Sequence, residues 1–106
     1  MTYRVTLSPE FIARVLEDAQ FIERESSIAQ ADAWVARIRA ATTSLSRMPR
    51  RCRVAEESTY FQMEVRSLIV DGYLILFTID DAHAAVNVLS ARHGRQRPLK
   101  PRPKHP

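Results

Sequence analysis

Cysteine is nearly absent from this 106-residue chain: Cys52 is the only one. No internal disulfide can form, which excludes a stapled secreted scaffold and fits a reducing compartment. Glycine is almost as scarce, with only Gly72 and Gly94, so no glycine-rich loop can cradle a phosphate. No apolar run approaches the length needed to cross a bilayer. The amino terminus passes from Met1-Thr2-Tyr3-Arg4 directly into an alternating segment, which does not read as a signal peptide. A cytoplasmic protein is expected. Spaced histidines and cysteine clusters are missing too, and Glu64, Asp80 and Asp81 alone do not make a metal site. Neither metal nor cofactor is expected. The arginines around Cys52 should lower its pKa, but no base for a nucleophile accompanies it.

Acidic residues are also missing from two particular segments. Arg47, Arg50, Arg51 and Arg53 form one run without an acid, and six Lys or Arg follow from Arg92 to the end, again without an acid. Together they hold ten of the sixteen basic residues and none of the twelve acids, so the rest of the chain is net acidic. This segregation suggests a polyanionic partner, either nucleic acid or an acidic protein surface. The plainer reading is a solvated loop and a soluble tail.

The remaining composition is globular, with 45% apolar residues. Residues 3–7 alternate and predict a short strand. Ser8-Pro9-Glu10 is a helix start, because Ser8 can cap, Pro9 fits the first helical position and Glu10 suits the positive dipole end. That helix should run to about Glu25 with an apolar stripe of Ile12, Val15, Leu16, Ala19 and Ile22. Ser27 can cap a second helix whose face is Ile28, Ala31, Trp34, Val35, Ile38, Ala41 and Leu45, ending before Met48-Pro49. The period then changes. Met63 to Val70 and Tyr73 to Ile79 read as strands joined by Asp71-Gly72, a two-residue loop suited to a type I′ turn. After Asp80-Asp81-Ala82-His83, Ala84 to Ala91 predicts a third strand. Residues 98–106 hold four prolines in nine and should be a flexible tail beyond a single domain of residues 1–97. The order β-α-α-β-β-β is that of an α+β domain, an antiparallel sheet covered on one face by a helical hairpin and partly open on the other.

An ordered set of residues carries a resemblance. Glu64, Arg66, Gly72, Tyr73, Leu74, Ile75, Phe77, Asp80 and Asp81 are followed by Arg92, His93, Gly94 and Arg95. The helical half adds Ser8-Pro9 and the alanine-rich second helix closing on Met48-Pro49. Over about residues 3 to 97 the chain resembles the RelE/ParE toxin superfamily, of the type II toxin–antitoxin, plasmid-stabilisation type. The resemblance implies a toxin neutralised by a cognate antitoxin, whose flexible segment would wrap the helical hairpin and the sheet. RelE-like members cleave mRNA on the ribosome, whereas ParE-like members poison DNA gyrase. Leu74 stands where RelE-like nucleases tend to carry an arginine, and no tyrosine follows Tyr73. The wording is thus closer to the ParE-like branch.

A metal-free ribonuclease needs cationic groups and a proton shuttle. Arg66, His93 and Arg95 would be its catalytic residues, with His93 the shuttle. For a binding toxin, the residues expected to touch target or antitoxin are Arg50, Arg51, Arg53, Arg66, Tyr73, Arg92, Arg95 and Arg97. Arg66 has a structural alternative, a pair with Glu64, and Trp34 reads as a core anchor. Counting outward from the Asp71-Gly72 turn pairs Arg66 with Phe77. An even register through the next loop pairs Phe77 with Val86. Arg66 and Arg92 would then share a sheet face about six residues apart, roughly 20 Å at ~3.3 Å per residue. A slip of one residue would flip that face. Three functions follow: a gyrase-poisoning toxin, a ribosome-dependent mRNA endoribonuclease, or a non-toxic basic nucleic-acid-binding module.

Overall fold

The computed structural model describes residues 2–101. Strand β1 (Arg4–Leu7) leads into helix α1 (Pro9–Glu25), and α2 (Ile28–Ser44) folds back beside it. A single 3-10 turn (Pro49–Arg51), a two-residue strand β2 (Arg53–Val54) and a short helix α3 (Glu57–Phe61) precede β3 (Arg66–Val70), β4 (Tyr73–Asp80) and β5 (Ala85–His93). The strands form one sheet in the order β1-β5-β4-β3-β2. This is the expected α+β architecture, with β2 and α3 added between the helical hairpin and the meander. The sheet is mixed: β3, β4 and β5 are antiparallel neighbours, but β1 lies parallel to β5, with Arg4 opposite Ala85.

The local signals act as their chemistry requires. Ser8 Oγ accepts from Phe11 N at 3.0 Å and donates to the Leu89 carbonyl at 2.6 Å, so one hydroxyl both caps α1 and ties it to β5. Ser27 caps α2 through Gln30 N at 3.0 Å. Asp71 (φ 51) and Gly72 (φ 79) both take positive φ, as a type I′ turn demands.

The hairpin packs Phe11, Val15, Trp34 and Ile38 onto Ile75, Phe77, Val86 and Val88 of the sheet, forming the main core. The α1 stripe is rotated by about one residue from expectation. Phe11 and Val15 are buried, whereas Ile12 and Leu16 are 45% and 58% exposed. The sheet meets α1 along Phe11, Val15, Ala19 and Ile22, one face at i+4 and i+3 spacing. Ile12 and Leu16 fall outside that row and, with Leu7 and Val35, line a groove between the helices.

The register from the Asp71-Gly72 turn is as counted, with Arg66 opposite Phe77. Beyond it the count is corrected. Phe77 pairs with Val88, not Val86, because Asp81–Ala84 form a four-residue loop between Asp80 and Ala85. That two-residue shift alone would preserve the faces. A β-bulge between Leu76 and Phe77 adds one further residue, so Leu74 lies opposite Arg92. Arg66 and Arg92 therefore sit on opposite faces of the sheet.

The second face is not left bare. Ala55, Val65 and Leu76 are buried there, with Phe61, Leu74, Leu89 and Leu99 packed around them. The first residues of the expected tail thus lie against the sheet, while residues 102–106 lie outside the described residues.

Candidate functional site

The arginines marked out by sequence divide by what holds them. Arg92, near the end of β5, is 4% exposed and Glu57 of α3 is 0% exposed. Arg92 Nε donates to Glu57 Oε2 at 2.6 Å and Nη2 to Oε1 at 3.3 Å, a two-pronged buried ion pair. Glu57 Oε2 also accepts from Leu99 N at 2.9 Å, and Arg92 Nη1 donates to the Gln96 carbonyl at 3.0 Å. The pair is therefore a clasp that fastens the segment after β5 to α3. Burial pushes the Glu57 carboxyl up, but the Arg92 guanidinium and the backbone donors outweigh it and hold the group below the usual carboxylate range. Glu57 carried no signal in the sequence, because its partner lies 35 positions away.

Arg66 faces the helical side at the far end of β3. Its Nε donates to Glu64 at 2.9 Å, the structural alternative read from the sequence, and Nη1 donates to the carbonyls of Arg50 and Cys52 at 3.2 and 2.6 Å. Arg50 grips Asp81 with both terminal nitrogens at 3.1 and 2.6 Å. Arg51 reaches back to the carbonyls of Ser44, Arg47 and Met48 at 3.4, 2.7 and 3.1 Å and to Ser44 Oγ at 2.9 Å, fastening the chain where α2 ends. Arg53, Arg95 and Arg97 are exposed and make no ion pair among the described residues.

Tyr73 is 1% exposed. Its ring meets Trp34 edge-on at 5.1 Å and its hydroxyl donates to Asp18 at 2.7 Å, so it is a core residue and not a contact surface. Burial, then the Asp18 carboxylate, push its pKa upward. Trp34 is the core anchor expected. Cys52 departs from expectation: it is buried, and burial pushes its thiol up against the lowering effect of Arg51 and Arg66.

His93 is exposed at the end of β5 with its ring edge-on to Tyr73 at 5.2 Å. It shares a shallow hollow with Asp71, Gly72, Gly94 and Arg95 at the hairpin tip. Gly94 packs closely there: a Cβ would meet the Gly72 carbonyl and Leu74 Cδ1 at 3.3 Å, so a side chain would need these neighbours to give by a few tenths of an ångström. Arg66 is not part of this hollow. It pairs with Phe77 while His93 pairs with Tyr73, four positions along β4 or roughly 13 Å at ~3.3 Å per residue. The structure thus brings His93 and Arg95 together and leaves Arg66 apart from both.

Between β2, β3 and the clasped segment lies a cavity of about 320 Å³, lined by Arg53, Val54, Ile69, Leu74, Arg92 and Gln96 among others. Its cations are Arg53, which is exposed, and Arg92, already engaged by Glu57. Among the described residues no helix is long and apolar enough to cross a membrane.

The family model for the ParE toxin of the type II toxin–antitoxin system parDE matches residues 5–98. Among solved structures the chain is similar to one from a chromosomal ParDE system of P. aeruginosa. The TM-score is 0.69 at 10% identity, covering 87% of this chain and 96% of that one. It is also similar to one from the toxin–antitoxin complex RelBE2 of Mycobacterium tuberculosis, with a TM-score of 0.58 at 21% identity, covering 88% and 99%. At these identities the two structures bear on fold alone. No curated protein matches the chain.

Proposed function

The chain belongs to the ParE toxins of type II toxin–antitoxin systems, and from that premise we propose that it arrests growth by binding DNA gyrase in the cytoplasm, without cutting RNA, until a cognate antitoxin neutralises it. The observation that carries this reading is the separation of Arg66 from the other two nuclease candidates, His93 and Arg95. A phosphoryl-transfer site needs its cations and its proton shuttle around one phosphate. Here Arg66 is bonded to two carbonyls and Glu64, remote from His93 and Arg95, and Arg92 is neutralised by Glu57. Arg53, Arg95 and Arg97 keep uncompensated charge and are the residues assigned to target and antitoxin contact, with Arg50 and Arg51 shaping the corner beside them. The antitoxin's apolar side chains would use the groove of Leu7, Ile12, Leu16 and Val35.

Full-length protein added to a purified gyrase supercoiling reaction and, separately, to a translation extract tests the reading. Supercoiling is expected to stop while translation proceeds. Unimpaired supercoiling with codon-phased mRNA cleavage that disappears in a His93→Ala, Arg95→Ala variant would overturn it in favour of the ribonuclease.

A further inference from the structure

The second face of the sheet holds a cavity of about 300 Å³ between β5, α3, the start of α1 and the clasped segment. Its walls are largely apolar, with Phe61, Val65, Leu76, Leu89 and Leu99 among them. The bulge shapes it. Leu76 pairs with Ser90 and Phe77 with Val88, which leaves Leu89 without an opposite residue on β4. Leu89 joins Leu76 in the second-face cluster, and Ser90, directly across from Leu76, points to the same face.

Ser90 is 3% exposed and lines the cavity. Among the described residues its hydroxyl is the one buried side-chain polar atom without a hydrogen-bond partner. Leaving such a group unmet is costly, so it calls for a partner. The neighbouring polar groups are already engaged. Ser8 Oγ bonds to Phe11 N and to the Leu89 carbonyl, and Glu57 is gripped by Arg92. Glu10 and Lys100 are exposed at the edge, where Lys100 Nζ lies 5.2 Å over the Tyr60 ring. The interior thus offers apolar surface and a single unmet hydroxyl, which suits a neutral ligand. Small-molecule sites share this make-up, with apolar walls and a few polar groups that fix orientation. An apolar cavity of roughly 150 Å³ holds one benzene ring, so this one has room for two fused rings.

We propose that this cavity binds a neutral aromatic molecule of two fused rings, whose single hydroxyl or ring N–H hydrogen-bonds to Ser90 Oγ. Leu99 forms one wall, so an occupied cavity also holds the clasped segment in place. The site goes beyond the gyrase reading and stands without it, since binding is read on the chain alone.

The full chain is melted at neutral pH in rising concentrations of 2-naphthol or of naphthalene, which has the same rings and no hydroxyl. 2-Naphthol should raise Tm in a saturable way and slow protease cleavage beyond His93. Naphthalene should bind about fivefold more weakly, for want of one neutral hydrogen bond. Ser90→Ala should bind both compounds with the same affinity. Its own Tm should hold or rise, because a buried unmet hydroxyl has been removed. Leu89→Trp fills the cavity from a half-buried position and should abolish binding of either compound. A Tm unmoved by 2-naphthol would overturn the site and leave Ser90 to an ordered water. Discrimination between the two compounds that survives Ser90→Ala would also overturn it, because the hydroxyl would then be met elsewhere.

Discussion

On the helical side of the sheet, Phe77, Ile75, Val86 and Val88 meet Phe11, Val15, Trp34 and Ile38 without a fully buried charge among the described residues. On the opposite side, a small cluster around Val65 and Leu76 is closed by the Arg92–Glu57 pair and by Leu99. The first face is held by area removed from water, which tolerates changes that conserve volume. The second has too little apolar surface for that and relies on a charge pair that either partner alone would make costly. What surrounds an arginine thus decides what it can do: the same residue type is a strut at Arg66, a clasp at Arg92 and, beyond the end of β5, an exposed charge without an ion pair among the described residues at Arg95.

Breaking the clasp should have the largest effect. Arg92→Ala leaves a buried carboxylate unpaired and should cost about 3–5 kcal/mol of unfolding free energy, read by urea denaturation. It should also make the chain beyond His93 sensitive to protease. On the helical face, Phe77→Ala should cost a similar ~3–5 kcal/mol with that segment still protected. Equal protection in the two variants would show that the clasp does not hold the segment. Replacing both partners, Glu57→Leu with Arg92→Met, should recover most of the loss. If it does not, the pair contributes more than its own neutralisation.

The comparison was only half legible in the sequence, for a physical reason. The helical face came from local signals: the caps Ser8 and Ser27, the 3.6-residue periodicity and the Asp71-Gly72 turn all act within a few residues. The clasp face came from long-range ones. β2 is two residues long and α3 five, below the length at which periodicity speaks. α3 stands because Ser58 Oγ bridges the Val65 backbone and Glu57 meets Arg92, contacts that its own sequence does not announce. The bulge between Leu76 and Phe77 has no marker residue, so the expected face of Arg92 was inverted. The pairing of Arg66 with Phe77, next to the turn, needed no such information.

Acid should sharpen the contrast further. The folded-state pKa of Glu57 is lowered, so its stabilisation is complete above the unfolded carboxylate value and is lost as pH falls through the folded one. Wild type should therefore lose stability below about pH 4.5 more steeply than the Glu57→Leu, Arg92→Met variant in the same denaturant series. A parallel loss would assign the acid sensitivity to Asp80 and Asp81, which are lowered as well, by His83 and Arg50 respectively. Leu99→Ala, at the half-buried end of the clasp, should cost about 1–2 kcal/mol. Tyr73→Phe, which removes the bond to Asp18 and leaves the ring packed, should cost about 1 kcal/mol.

The parallel pairing of β1 with β5 has a consequence for synthesis. Arg4 cannot meet Ala85 until some eighty further residues have been joined, and at ~5–20 residues per second the first strand waits for seconds without its neighbour. Nothing made earlier can substitute, because β5 also supplies the partner for the whole length of β4. A chain cut short before His93 would have an incomplete sheet and no clasp to Leu99. For a member of a toxin family, completion of the message thus becomes a condition of folding.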